Sequence, residues 1–204
     1  RKDQEMKKLR WLVRCSVALL LAIGASNLEF QRVGPPNHYA HAQQDQWESK
    51  KIVPFVPTPQ NVVHKMLELA EVKKGDVLYD LGSGDGRIVV TAAKKYGVRA
   101  VGFEIDPGLI KESREKIRAE KLEHLAEIRE QDILTVDLSP ASVLTMYLLP
   151  DVNMKLRPKI LKQLRPGSRI VSHDFDMGDW RPEKVVNVGD IATVYLWRIS
   201  GSRR

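Results

Sequence analysis

The chain has 204 residues, 43% of them apolar, with 33 Lys plus Arg against 26 Asp plus Glu and a single cysteine. That length holds one domain of ordinary size, and its charged residues are not gathered into low-complexity runs, which excludes a multidomain assembly and a disordered chain. The net charge of +7 is unevenly placed: residues 1–51 hold nine basic and five acidic side chains and the rest hold 24 against 21, so the body has no basic excess large enough for a nucleic-acid partner.

Cys15 opens an apolar run of twelve uncharged residues, 15–26, preceded by Lys7, Lys8, Arg10 and Arg14. The body therefore has no thiol, which rules out disulfides, cysteine-ligated zinc and a thiol nucleophile there. Twelve residues fall short of the roughly 20 that a membrane span needs and suit the core of an export signal. Ala40-His41-Ala42 or Ala22-Ile23-Gly24 would serve as the cleavage site, and an uncleaved anchor starting at Trp11 is the alternative. Residues 1–42 are read as signal peptide or membrane anchor with its linker, any membrane association resting on residues 11–26. Residues 43–57 form a linker and site-lining loop, and 58–204 the folded domain. Positive charge on the N-terminal side would send the body across the membrane, which gives an exported or envelope location. An anchor that leaves the domain facing the cytoplasm is the other reading.

Thr58 reads as a helix N-cap with Pro59 at the first helical position, and Val62, Val63, Met66, Leu67 and Ala70 then recur at helical spacing. A buried strand follows at 77–79, a helix at 87–96 closed by Gly97, and a second strand at 100–103. Residues 107–120 read as a helix, with Asp106 before Pro107 as its cap. Short apolar runs lie at 126–128, 143–148, 169–172 and 191–199, with a helical stretch over 152–164. This alternation predicts an α/β fold whose mainly parallel sheet is covered on both faces. Only ten residues, 174–183, separate the fifth strand from the next, too few for a covering helix.

The run Asp80-Leu81-Gly82-Ser83-Gly84-Asp85-Gly86 sits where the first strand enters its helix. Glycines at alternate positions let the backbone turn tightly and let a ligand approach main-chain amides. A dinucleotide fingerprint would have glycine at position 87, where this chain has Arg87. Asp80 places a carboxylate at the strand's carboxyl end, within reach of a cationic amino group. Glu104 ends the second strand 22 residues past Gly82, the separation at which an acid accepts ribose hydroxyls. Asp132 follows the third strand, where a carboxylate could accept from an adenine amino group. A glycine loop carrying Gly82, Ser83, Gly84 and Gly86, with three acids after three strands, suits a ligand that has ribose, adenine and ammonium but no phosphate. S-adenosylmethionine is that ligand.

At these residues the chain resembles the class I S-adenosylmethionine-dependent methyltransferases, over about residues 54–175. More narrowly, Pro54-Phe55-Val56-Pro57-Thr58-Pro59, Tyr79 through Arg87, Tyr147-Leu148-Leu149-Pro150 and Ser172-His173-Asp174-Phe175 are similar to one family. It comprises bacterial relatives of the mitochondrial protein-lysine methyltransferases acting on the ATP synthase c subunit and the adenine nucleotide translocase. The resemblance implies a single Rossmann-like, doubly wound domain, S-adenosylmethionine as cofactor and a protein lysine as acceptor. It also implies that Tyr147, Thr58 and Phe55 line the acceptor side. A small-molecule or lipid-like acceptor, or a silent cofactor-binding protein, are the rival readings, and a monomer is expected. His173 and Asp174 stand open between a polar corner and a site role. His38, His41, His64 and His124 show no ligand spacing, so no metal is expected, and Trp180 and Trp197 read as core or rim.

Overall fold

The computed structural model describes residues 55–201. The apolar run 15–26, both candidate cleavage sites and most of the linker lie outside the described residues. No helix among those described is long and apolar enough to cross a membrane.

The elements follow in chain order as α1 (Gln60–Leu69), β1 (Val77–Leu81), α2 (Arg87–Tyr96), β2 (Arg99–Glu104), α3 (Pro107–Ala119), β3 (Ala126–Glu130), β4 (Val143–Met146), α4 (Pro150–Gln163), β5 (Arg169–His173), β6 (Lys184–Asn187) and β7 (Thr193–Arg198). One seven-stranded sheet runs in the order β3-β2-β1-β4-β5-β7-β6. The first five strands pair in parallel, and β7 lies antiparallel between β5 and β6.

Alternation along the strands divides the core in two. Leu78, Ala100, Val143 and Val171 face α1, α2 and α3, which bury Val62, Met66, Val89, Ala92 and Ile117 against them. Tyr79, Leu81, Leu144, Met146 and Trp197 face the other way, where Val152, Leu156 and Ile160 of α4 cover them. Each fully buried side chain of this size contributes about 1.5–3 kcal/mol.

Two helix starts obey different rules. Asp106 caps α3 as its position suggests, its Oδ1 accepting from Gly108 N–H at 2.9 Å and Leu109 N–H at 3.2 Å. Thr58 does not cap α1. Pro59 is itself the N-cap residue, extended at φ −56° and ψ 145°, with no side-chain cap. Because Pro59 stays extended, the helix begins at Gln60, and the Thr58 hydroxyl finds its partner elsewhere.

The far edge also has a physical explanation. Residues 174–183 form no helix. They are pinned onto α4 by Asn153 Nδ2, which donates to Phe175 O and Asp176 O at 3.3 and 3.1 Å, and by Arg157 Nη1, which donates to Met177 O at 3.1 Å. Trp197 Nε1 donates to Trp180 O at 2.7 Å and closes the loop over the core.

Candidate active site

Strand order reverses between β1 and β4, and at such a switch point a crevice opens beyond the carboxyl ends of the strands. Here it is a cavity of about 310 Å³. Asp80, Gly82, Ser83 and Gly84 from the first turn line it, with Glu104 after β2 and Asp132 beyond β3. Phe55, Thr58 and Tyr147 line it as well. Nine of the ten residues singled out in the sequence are thus brought together.

Gly86 is the exception. It does not line the cavity: it is the N-cap of α2 at φ 76°, and a Cβ there would lie 2.8 Å from Ser113 Cβ on α3. Its spacing belongs to the glycine loop, but its constraint is helix packing. Gly84 answers to the cavity. It sits at φ 53°, and the Phe55 ring, 41% exposed, fills the space that a Cβ would take.

Three acids carry the electrostatics of the cradle. Asp80 is 2% exposed and pairs in register with Thr145, whose hydroxyl donates to Asp80 Oδ1 at 2.8 Å. Burial pushes the Asp80 carboxyl up to about 7, against the Thr145 hydrogen bond and with help from the nearby Glu104 and Asp85 carboxylates. Glu104 clamps the loop. Its Oε2 accepts from Gly84 N–H at 2.8 Å, and its Oε1 accepts from the amides of Ile105 and Asp106 at 2.8 and 3.0 Å. Asp132 is exposed, and its Oδ1 accepts from Leu134 N–H at 2.9 Å, so it opens a turn while facing the cavity. Ser83 turns its side chain toward Gly102, and its buried hydroxyl has no hydrogen-bond partner.

Arg87 was legible only as a departure from the dinucleotide pattern. Its guanidinium holds Asp85 through Nε at 2.9 Å and Nη2 at 2.7 Å, and its Nη1 donates to Thr58 O at 2.8 Å. Lys116 on α3 reaches the same carboxylate at 2.7 Å. Although burial opposes it, this pairing with Arg87 and Lys116 holds the Asp85 carboxyl down at about 2. The network ties the glycine loop to α3 and to the segment carrying Phe55 and Thr58.

On the acceptor side, the Thr58 hydroxyl meets His173 Nδ1 at 3.1 Å. The Tyr147 ring lies over the imidazole at 3.8 Å between centroids and stacks with Phe175 at 6.1 Å. Burial and the neighbouring Asp174 carboxylate raise the Tyr147 phenol above its ordinary value, and burial lowers the His173 imidazole against the pull of Asp174. His64 and His124 stand outside the cavity. Among the described residues no three of His, Cys, Asp and Glu gather where they could hold a metal ion.

These residues fit S-adenosylmethionine. A buried carboxylate whose ionised form lacks a cation, a second carboxylate locked in place by three amides, and an unpartnered buried hydroxyl suit a cationic nucleoside. When bound, that group supplies a methyl on a sulfonium. A sheet of this order with acids and a glycine loop at its switch point defines a class I S-adenosylmethionine-dependent methyltransferase.

A family model described as the ANTKMT methyltransferase domain matches residues 80–184. A protein-lysine N-methyltransferase of Saccharolobus islandicus (strain REY15A) is 47% identical over 151 residues, 72% of this chain and 94% of that protein. The Homo sapiens lysine N-methyltransferase of the ATP synthase c subunit is 32% identical over 154 residues, 76% of this chain and 65% of its own length. A solved RNA methyltransferase from Salinibacter ruber, in complex with S-adenosyl-L-homocysteine, is 52% identical with a TM-score of 0.71, covering 73% of this chain and 97% of that one. The chain belongs to the ANTKMT methyltransferase family, and it is an S-adenosylmethionine-dependent methyltransferase.

Proposed function

We propose that the enzyme methylates the side-chain amine of a protein lysine. The observation that carries this reading is the composition of the acceptor side, where Tyr147, Phe55 and Phe175 contribute aromatic side chains to the cavity lining. Among the described residues the one Lys or Arg lining the cavity, Arg87, is committed to Asp85 and Thr58 O. Such walls pack against the alkyl chain of an amine and suit its cationic head. Alignment of the amine with the methyl carbon at about 3 to 3.5 Å supplies much of the acceleration of an in-line displacement. The names of the archaeal and human relatives agree with a lysine acceptor.

RNA is the second reading, favoured by the likeness to the Salinibacter ruber RNA methyltransferase. Residues 52–204, with 24 basic against 21 acidic side chains, give it little electrostatic support. Incubating the full chain with tritiated S-adenosylmethionine and a cell extract should label protein, with the label on lysine after hydrolysis. Tyr147→Ala should reduce that label more than it weakens cofactor binding. Label confined to RNA, lipid or small molecules would overturn the lysine reading.

We further propose that residues 11–26 hold the enzyme at a membrane, with the domain on the cytoplasmic side, where its cofactor is made.

A further inference from the structure

Asp174 follows β5 at φ 58°, a left-handed conformation in which a residue other than glycine carries a small strain. Two of its contacts are structural. Its N–H donates to Thr193 O at 2.7 Å, and its Oδ1 accepts from Thr193 N–H at 2.9 Å, which fastens the turn to β7. Oδ2 is held differently. The Tyr147 hydroxyl lies 3.5 Å from it and His173 Nε2 3.4 Å, both longer than a good hydrogen bond. That imidazole nitrogen is buried without a hydrogen-bond partner.

The Asp174 side chain is 32% exposed; it does not itself line the cavity, but Tyr147 beside it and the adjacent Phe175 do. Among the described residues no lysine or arginine pairs with it. The carboxylate thus stands beside the hydroxyl of the very tyrosine that walls the cavity. A carboxylate oxygen, a phenol and two stacked rings make a receptor for an alkylammonium, which brings three N–H donors and a positive charge.

Resting on the lysine reading above, we propose that Asp174 Oδ2 and the Tyr147 hydroxyl form the subsite that receives the acceptor's primary ammonium. Charge is then the specificity filter, and a neutral nucleobase is rejected because it leaves the carboxylate without a partner. In the reaction the ammonium first releases one proton to water at the exposed side of Asp174. The neutral nitrogen then forms its bond to the methyl carbon as the carbon–sulfur bond breaks, and the electron pair stays on sulfur. Positive charge arrives on nitrogen, where Asp174 stabilises it.

The test uses the full chain saturated with S-adenosyl-L-homocysteine and titrated with n-butylammonium or with n-butanol, its neutral counterpart of similar size, followed by NMR. The wild type should bind the ammonium at least about tenfold more tightly than the alcohol. Asp174→Asn keeps the Thr193 contact and tolerates the left-handed backbone. It should erase that preference while leaving the melting temperature and the S-adenosyl-L-homocysteine affinity unchanged. In the tritium assay the same variant should raise the KM for protein labelling. Equal affinity for the two probes in the wild type, no binding of either, or a preference intact in Asp174→Asn overturns the subsite. Lysine labelling at an unchanged rate in Asp174→Asn rejects this subsite alone, whereas label on RNA rejects the lysine reading itself.

Discussion

Lowering the pH from 7 to 5.5 should weaken S-adenosylmethionine binding about fifteenfold if the ligand requires the ionised form of Asp80. Burial holds this carboxyl at about 7 in the free protein, so about half of the molecules carry the charge at pH 7 and about 3% at pH 5.5. Binding should then release about one proton at pH 5.5 and about half a proton at pH 7. The ligand's own amino group titrates near 8, as α-amino groups do, which confines the clean window to below about pH 7. Calorimetry in two buffers of different ionisation enthalpy reads both the affinity and the proton count. Asp80→Asn keeps an oxygen for the Thr145 hydroxyl and should abolish the pH dependence along with most of the affinity. The same shift carries a stability cost of known sign. Because the folded state binds the proton more tightly than the unfolded one, its advantage is full below about pH 4 and is lost as the pH rises to 7. The loss amounts to about 4 kcal/mol, so ligand-free Asp80→Asn should melt several degrees above wild type at pH 7.5. An affinity that is flat from pH 5.5 to 7, or the same slope in Asp80→Asn, would refute the reasoning.

Gly86→Ala should destabilise the fold by about 1–3 kcal/mol, because φ 76° and the Ser113 contact both resist a Cβ. Calorimetry on the surviving folded protein should find cofactor affinity within about threefold of wild type, and a collapse of affinity at unchanged stability would return Gly86 to the cofactor site. Arg87→Ala should lower stability by about 1–3 kcal/mol in denaturant titration, Lys116 continuing to neutralise Asp85. Arg87→Lys should not restore it, since one ammonium cannot serve both Asp85 and Thr58 O as the guanidinium fork does. Deleting residues 1–42 should leave a soluble domain melting within about 2 °C of the full chain, because among the described residues the first helix starts at Gln60. Aggregation of the truncated protein would place the apolar run in the core.

Which residues could be read from the chain depended on where their partners lie. Asp80, Glu104 and Asp132 were legible because strand ends recur with the α/β period, and an acid there faces the crevice whatever else the chain does. Asp106 was legible because its partners, the amides of Gly108 and Leu109, are two and three residues away. Thr58 was misread as a cap because its partner, His173, lies 115 residues on, and no local rule carries that distance. Gly86 has the spacing of a ligand-binding glycine, yet what it meets is Ser113 on α3, which only packing supplies. Arg87 and Asp85 were visible as neighbours, but the Lys116 that joins them was not. The cluster of Tyr147, His173 and Asp174 needs β4 beside β5 and β5 beside β7 before its members meet at all.

The same division applies within a single residue. The sequence places Asp80 at the end of β1 through a pattern of strand and glycine, and that position survives in the structure. Its protonation does not follow from the pattern. It follows from Thr145 in register on β4, from Glu104 and Asp85 nearby, and from burial by strands on either side. Position is set by local periodicity, whereas the charge state of a group is set by everything that excludes water from it. A carboxyl left at about 7 is poorly settled in the free fold and well suited to a cation, so the stability lost at this residue and the affinity gained there have one cause. Thr145→Val should expose that link. Without its hydroxyl the Asp80 carboxyl loses the one contact that lowers its pKa, so the inflection in cofactor affinity should move to higher pH. An inflection that stayed in place or moved down would show that something other than burial governs the group.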